Sequence, residues 1–148
     1  MKLIFTEFIN SEQDLQAIAE KVKNIAADKN AIILLSGPLA AGKTTFVIYF
    51  CRLFNIQHVQ SPTYALHQRY QQQNLIIDHI DLYRLETEEA VQASGFYDVL
   101  NMVADYKFIE WPERIQLQDL PLGIALYKIK IHMLLNESRQ IEFYDCSA

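Results

Sequence analysis

The chain is poor in cysteine. Its 148 residues include only Cys51 and Cys146. These form no CxxC pair and no zinc-ligand spacing, which excludes a disulfide framework or a structural zinc as the basis of the fold. Cys51 falls within an apolar helical pattern and reads as a small packing residue. Long hydrophobic runs are missing too, so no segment reads as a transmembrane helix. Residues 1–7 lack the apolar stretch and cleavage site of a signal peptide. A reducing cytoplasm is the expected location. Basic charge is scarce, with 13 Lys and Arg against 18 Asp and Glu, a net charge of −5. A domain that grips nucleic acid by itself is more often basic. Internal repeats, low-complexity tracts and linkers are absent. The length fits one domain over 1–148 with a single core. Hydrophobic and charged contents of 51% and 21% are ordinary for a globular protein.

Against this background one stretch stands out. Residues 36–45 read Ser36-Gly37-Pro38-Leu39-Ala40-Ala41-Gly42-Lys43-Thr44-Thr45. This fits G-x-x-x-x-G-K-[ST], the phosphate-binding loop of nucleoside triphosphatases. Gly37 and Gly42 allow a tight turn and a close approach to an anion. The N–H groups of the loop, Ala40 and Ala41 included, and the start of the next helix would then point at phosphate oxygens. Lys43 has the reach for the β- and γ-phosphates, and the Thr44 hydroxyl is a Mg²⁺ ligand by type. Context agrees. Residues 31–35 are a continuous apolar run, as in a buried parallel strand. Phe46, Val47, Phe50, Leu53 and Phe54 follow at helical spacing.

Elsewhere the chain alternates between strand and helix patterns. Residues 3–8 read as a strand. Ser11 is a good helix N-cap, with Leu15, Ile18, Val22 and Ile25 on one helical face. Asp28-Lys29-Asn30 is a turn. Residues 65–70 and 75–83 read as two strands joined at 71–74. Helices are expected near Thr87 and over 97–103. A short strand covers 107–111. Residues 122–135 and 140–144 read as a closing hairpin around Asn136-Glu137-Ser138. The expected fold is therefore α/β, of the P-loop NTPase type: a mixed, mostly parallel sheet with helices on both faces and antiparallel hairpin additions.

A triphosphatase also needs an acidic residue at a strand end near Mg²⁺ and a segment that senses the γ-phosphate. Asp81 and Glu110 both follow apolar strand residues, and both are candidates. His79, two residues before Asp81, shares its face and is placed to orient it. Ser61-Pro62-Thr63-Tyr64 lies where GTPases carry their switch threonine, although a plain proline turn explains it as simply. Trp111, the only tryptophan, is a packing residue or a cover for the site. Arg84 and Arg114 are candidates to neutralise phosphate charge or to pair with nearby acids. Lys128, Lys130 and His132 alternate along one strand, with Arg139 on the next. A solvated strand face is the simpler reading of that group.

Taken together and in order, these motifs resemble the TsaE (YjeE) family of small bacterial ATPases. The family pattern runs GxLGAGKTT, SPTYxL, HxDLYRL, a glycine–aspartate segment and EWP. This chain carries residues 37–45, Ser61 to Leu66, His79 to Leu85, Gly95 to Asp98 and Glu110 to Arg114 in those places. The resemblance implies an ATPase that acts with TsaB and TsaD in making threonylcarbamoyladenosine in tRNA, with tRNA itself reached indirectly and ATP hydrolysis resetting the complex. It further implies that Lys43 and the loop, with Thr45, bind phosphates and that Thr44 and Glu110 hold Mg²⁺. Asp81 would position water or metal. Thr63 would lie in the switch, Trp111 near the nucleotide, and Ser11 at the base. Two positions depart from the pattern. Pro38 replaces an acidic residue and brings no N–H, and Ala40 replaces a glycine. The alternatives are a nucleotide-dependent adaptor without hydrolysis and a small-molecule kinase. The scattered arginines argue against a kinase lid, and the lack of an N-K-x-D segment argues against a GTPase.

Overall fold

In the computed structural model, residues 1–27, 30–62 and 65–147 are described. Seven strands form one sheet: β1 (Lys2–Ile9), β2 (Ala31–Ser36), β3 (His67–Gln72), β4 (Leu75–Asp81), β5 (Tyr106–Glu110), β6 (Ala125–Met133) and β7 (Arg139–Asp145). The helices are α1 (Leu15–Ile25), α2 (Lys43–Arg52), α3 (Glu88–Ala93) and α4 (Phe96–Leu100). β2 is apolar on both faces, and a strand of that kind is stable only with cover on both sides. It accordingly lies at the centre, in the order β1-β7-β6-β2-β5-β4-β3. Its neighbours β5 and β6 run parallel to it, and β4 runs parallel to β5. The outer pairs β1–β7, β6–β7 and β3–β4 are antiparallel. The expected mixed sheet, parallel at its centre with antiparallel additions, is therefore observed.

Each face of the sheet has its own core. On one side α1 and α2 pack against Ile33, Leu35, Phe108 and Ile129. Phe50 of α2 is its hub, edge-on to Tyr106 at 5.0 Å and to Phe108 at 4.9 Å. Such contacts add to the large area that aromatic rings bury. On the other side α3 and α4 bring Val91, Phe96 and Leu100 onto Ile32, Leu34, Ile80 and Ile109. Cys51 is buried in the first core. Burial pushes its thiol up to about 12, so it is an inert packing residue as expected. No helix among the described residues is long and apolar enough to cross a membrane.

Several ends differ from the sequence-based expectation. The strand expected from 122 begins at Ala125, because Leu122 is 98% exposed and Gly123 turns the chain at φ +77°. The helix expected to reach 103 ends at Leu100. The strand expected from 65 begins at His67. Of the Asp28-Lys29-Asn30 turn, the first two residues lie outside the described residues. The expected turn at 136–138 is present, with Asn136 and Glu137 both at positive φ.

One buried charge ties the β3 edge to the sheet. Asp78 of β4 is fully buried and accepts hydrogen bonds from Arg69 Nε at 2.9 Å and Nη2 at 3.0 Å, with His67 Nε2 at 2.6 Å. The same guanidinium donates to the Val103 carbonyl at 3.0 Å, linking the segment after α4 to the sheet edge. Burial alone would raise the Asp78 carboxyl. The bonds from His67 and Arg69 outweigh it and hold the group below its ordinary 3.8. A carboxyl lowered in the folded state contributes stability that is complete above its ordinary value and is lost as pH falls through the lowered one. Urea unfolding between about pH 5 and pH 3 should therefore show a steeper loss of stability in the parent than in Asp78→Asn. Parallel curves for the two proteins would contradict this.

Candidate functional site

Because β2, β4, β5 and β6 run parallel, their C-terminal ends meet at one edge of the sheet. The register pairs Leu35 with Glu110 and Glu110 with Asp81. The glycine loop leaves β2 at this edge. Gly37 lies flat against β6: a Cβ there would come within 2.8 Å of the Ile131 carbonyl oxygen. Ala41 N–H then closes a turn onto the Pro38 carbonyl at 3.2 Å. Gly42, at φ +111°, swings the chain into α2, which begins at Lys43. Side chains rarely adopt that φ, so Gly42 is required by the backbone. Ala40 stands at φ +61°. The departure from glycine at that position thus carries a real backbone cost.

Lys43 is 5% exposed. Its ammonium donates to the Gly37 carbonyl at 2.6 Å and the Pro38 carbonyl at 2.8 Å. It also stands 4.4 Å from the centre of the Trp111 ring, a cation–π distance. Burial lowers its pKa, and the negative charges of Glu110, Asp81 and Glu113 act the other way. At the next residue of α2, Thr44 Oγ1 donates to Glu110 Oε2 at 2.8 Å. Glu110 is 3% exposed, and the same oxygen meets His79 Nε2 at 2.5 Å. His79 is fully buried, and its Nδ1 has no hydrogen-bond partner among the described residues. The expectation that His79 orients Asp81 is therefore corrected: it orients Glu110. Asp81 is held instead by the Tyr83 N–H at 2.9 Å, which curls its carboxylate over its own chain. Burial raises the Asp81 carboxyl, against that N–H, and the Glu110 charge raises it further.

Trp111 follows Glu110 in a left-handed conformation at φ 60°, ψ 52°. It packs 5.0 Å from the Tyr83 ring, with the Arg114 guanidinium 5.6 Å from its own. Ser36, the last residue of β2, donates its hydroxyl to Glu113. Beyond the loop opens a cleft of about 500 Å³, lined among others by Ser11, Ala40, Ala41, Gly42, Thr45 and Arg139. The structure thus gathers Lys43, Thr44, Asp81, Glu110 and Trp111 around the loop and puts Ser11 across the adjoining cleft. Thr63 lies outside the described residues.

The Thr44 hydroxyl and the Glu110 carboxylate are hard oxygen donors of the kind Mg²⁺ takes. Among the described residues no group of three or more His, Cys, Asp or Glu has metal-binding geometry. The donor set suits a cation that arrives with phosphate oxygens and does not suit a protein-caged metal.

Arg139 was not singled out for this site. Its Nε donates to the Ala41 carbonyl at 2.9 Å and its Nη2 to the Ala40 carbonyl at 3.4 Å. Lys128, Lys130 and His132 pair across β6 with Tyr144, Glu142 and Gln140. Arg139 has the opposite parity, that of Ile141 and Phe143 in the core under α1 and α2. That parity was readable from the sequence once β7 was placed.

This sheet, with its strand–glycine loop–helix and acidic strand ends, defines a mixed α/β protein with its candidate site at one sheet edge. Residues 9–141 match the family described as threonylcarbamoyl adenosine biosynthesis protein TsaE. The chain belongs to the TsaE family. It is 35% identical over 135 residues to the tRNA threonylcarbamoyladenosine biosynthesis protein TsaE of Rickettsia conorii, covering 88% of this chain and 73% of that one. It is 29% identical over 148 residues to the protein of that name from Aquifex aeolicus, covering 97% and 98%. Among solved structures, Bacillus subtilis YdiB superposes with a TM-score of 0.71 at 22% identity, over 98% of this chain and 88% of that one, which shows the shared fold.

Relief of the Ala40 backbone gives a direct check. Ala40 is exposed, so Ala40→Gly removes little packing. A left-handed alanine costs roughly 1–2 kcal/mol, and glycine returns about 0.5–1 of this through its unfolded-state entropy. Ala40→Gly should stabilise the protein to urea by up to about 1 kcal/mol, and nucleotide should bind it at least as tightly as the parent. A destabilised variant would contradict the argument.

Proposed function

We propose that the chain is a Mg²⁺-dependent ATPase that acts with TsaB and TsaD in threonylcarbamoyladenosine biosynthesis in the cytoplasm, hydrolysis resetting that complex for turnover. The observation that carries the ATPase reading is the Thr44–Glu110 bond of 2.8 Å beside a buried Lys43 at the mouth of the glycine loop. Membership of the TsaE family supports the pathway. The partners rest on the family resemblance, and tRNA is reached through them.

Bound MgATP supplies the transferable phosphoryl group and the cation that offsets its charge. The chain's own part is positioning and electrostatics, which dominate catalysis of this chemistry. Lys43 moves from the loop carbonyls to phosphate oxygens. Burial lowers its pKa, and the charges of Glu110, Asp81 and Glu113 oppose that shift. Thr44 Oγ1 and Glu110 would hold the cation, with His79 fixing the Glu110 rotamer. Asp81 accepts a proton from, or orients, the attacking water; a carboxyl raised by burial is the better base for this. Trp111 and Tyr83 cover the phosphate end. Ser11 and Thr45 line the adjoining cleft, Ser11 toward the base and Thr45 with the loop toward the phosphates.

The test is phosphate release from MgATP by the chain alone and then with purified TsaB and TsaD. Hydrolysis should rise with the partners and disappear in Lys43→Ala. Asp81→Asn should still bind MgATP while losing about a hundredfold or more in rate. Glu110→Gln should lose the Mg²⁺ dependence of binding. Equal loss of both properties in the two variants would contradict this division of roles. ATP binding without hydrolysis under any condition would replace the enzyme by a nucleotide-dependent adaptor.

A further inference from the structure

We infer that Arg139 is a positioning residue for the glycine loop, fixing the Ala40 and Ala41 carbonyls outward so that the N–H groups on the same peptides face the loop interior. The argument is geometric. A trans peptide is planar, and its C=O and N–H point in opposite directions. Holding the Ala41 carbonyl therefore sets the direction of the Gly42 N–H, and holding the Ala40 carbonyl sets that of the Ala41 N–H. Arg139 Nε takes the first at 2.9 Å, and Nη2 reaches the second at 3.4 Å. The Ala41 N–H is indeed turned inward, onto the Pro38 carbonyl at 3.2 Å. That carbonyl and the one before it also receive the Lys43 ammonium. Arg139 thus braces the outside of the loop whose inside Lys43 occupies.

The brace is itself anchored. Arg139 opens β7, in register with Ile9 of β1 and Met133 of β6, and its Nη1 donates to the Glu137 carbonyl at 2.5 Å. A planar guanidinium with five N–H donors can serve three carbonyls at once, which a lysine ammonium on a flexible stem does far less rigidly. The brace matters more here than in a glycine-rich loop. Ala40 sits at φ +61°, where an L side chain disfavours the backbone. Pro38 contributes no N–H. The donors that remain at Ala41 and Gly42 are those that Arg139 aligns. Donors aligned in advance cost no reorganisation when an anion arrives.

The functional half of this inference rests on the nucleotide reading proposed above. Its structural half rests on the hydrogen bonds alone, so two readouts are needed. The first is calorimetric titration of MgATP into the parent, Arg139→Met, Arg139→Lys and Lys43→Ala. The second is hydrogen exchange of individual backbone amides by NMR in the same proteins without nucleotide. Arg139→Met keeps most of the aliphatic stem and removes the fork. It should bind MgATP about tenfold more weakly, with faster exchange confined to the loop amides, above all that of Ala41, which is bonded to the Pro38 carbonyl. Arg139→Lys should recover part of both. Parent-like affinity together with parent-like Ala41 exchange in Arg139→Met overturns the inference. So does exchange that quickens uniformly along the chain, since that marks a merely structural residue. If the parent binds no MgATP, the nucleotide reading fails. The Ala41 amide then decides alone: faster exchange in Arg139→Met upholds the brace, and unchanged exchange removes it.

Discussion

The candidate site depends on the parallel pairing of β2 with a strand on each side. β2 is buried from Ala31 to Leu35, and water is excluded from both of its faces. Its backbone groups must therefore be satisfied by neighbouring strands. With β5 and β6 parallel to it, the strand ends fall at a common edge. Glu110 then stands beside Leu35, and Asp81 beside Glu110. The loop that follows β2 emerges between β6 and β5, on the Glu110 side of Asp81. Reversing β5 or β4 would carry its acidic residue to the far end of the sheet, roughly five residues or 17 Å away.

At that edge the local chemistry is a buried cation among carboxylates. Lys43 loses solvation and gains three acidic neighbours, two loop carbonyls and an aromatic face. None of these contacts is a close ion pair, so the lysine is held without being neutralised. Glu110 is restrained from both sides, by Thr44 on the helix and His79 on the next strand. Among the described residues Asp81 is tied by a backbone N–H two residues on. Two carboxylates side by side thus have different surroundings, which is how neighbouring acids come to serve different tasks.

Much of this was legible in the sequence. The apolar run 31–35, the spaced glycines and the helical pattern from Phe46 are local signals, and they placed strand, loop and helix correctly. Asp81 and Glu110 were legible because each ends an apolar strand. What failed was pairing across strands. Parity puts His79 on the face of Asp81, but only the contact with β5 shows that Glu110 takes its ring. Arg139 was grouped with Lys128, Lys130 and His132 because it follows them in the chain, whereas its parity with Ile141 and Phe143 sends it to the other face. Its partners lie 98 and 99 residues away, beyond any local pattern. Ala40 stands out in the sequence only as a departure from a patterned glycine, and the structure shows what the departure costs, a backbone at φ +61°.

Trp111 is the only tryptophan in the chain and lies 4.4 Å from the Lys43 ammonium, so its fluorescence reports on the group that the proposed function requires to move. Titrating MgATP while recording Trp111 emission is the most direct test of the central claim. The account predicts a saturable change in the parent and none in Lys43→Ala. An emission that does not respond in the parent, or that responds equally in Lys43→Ala, would contradict it.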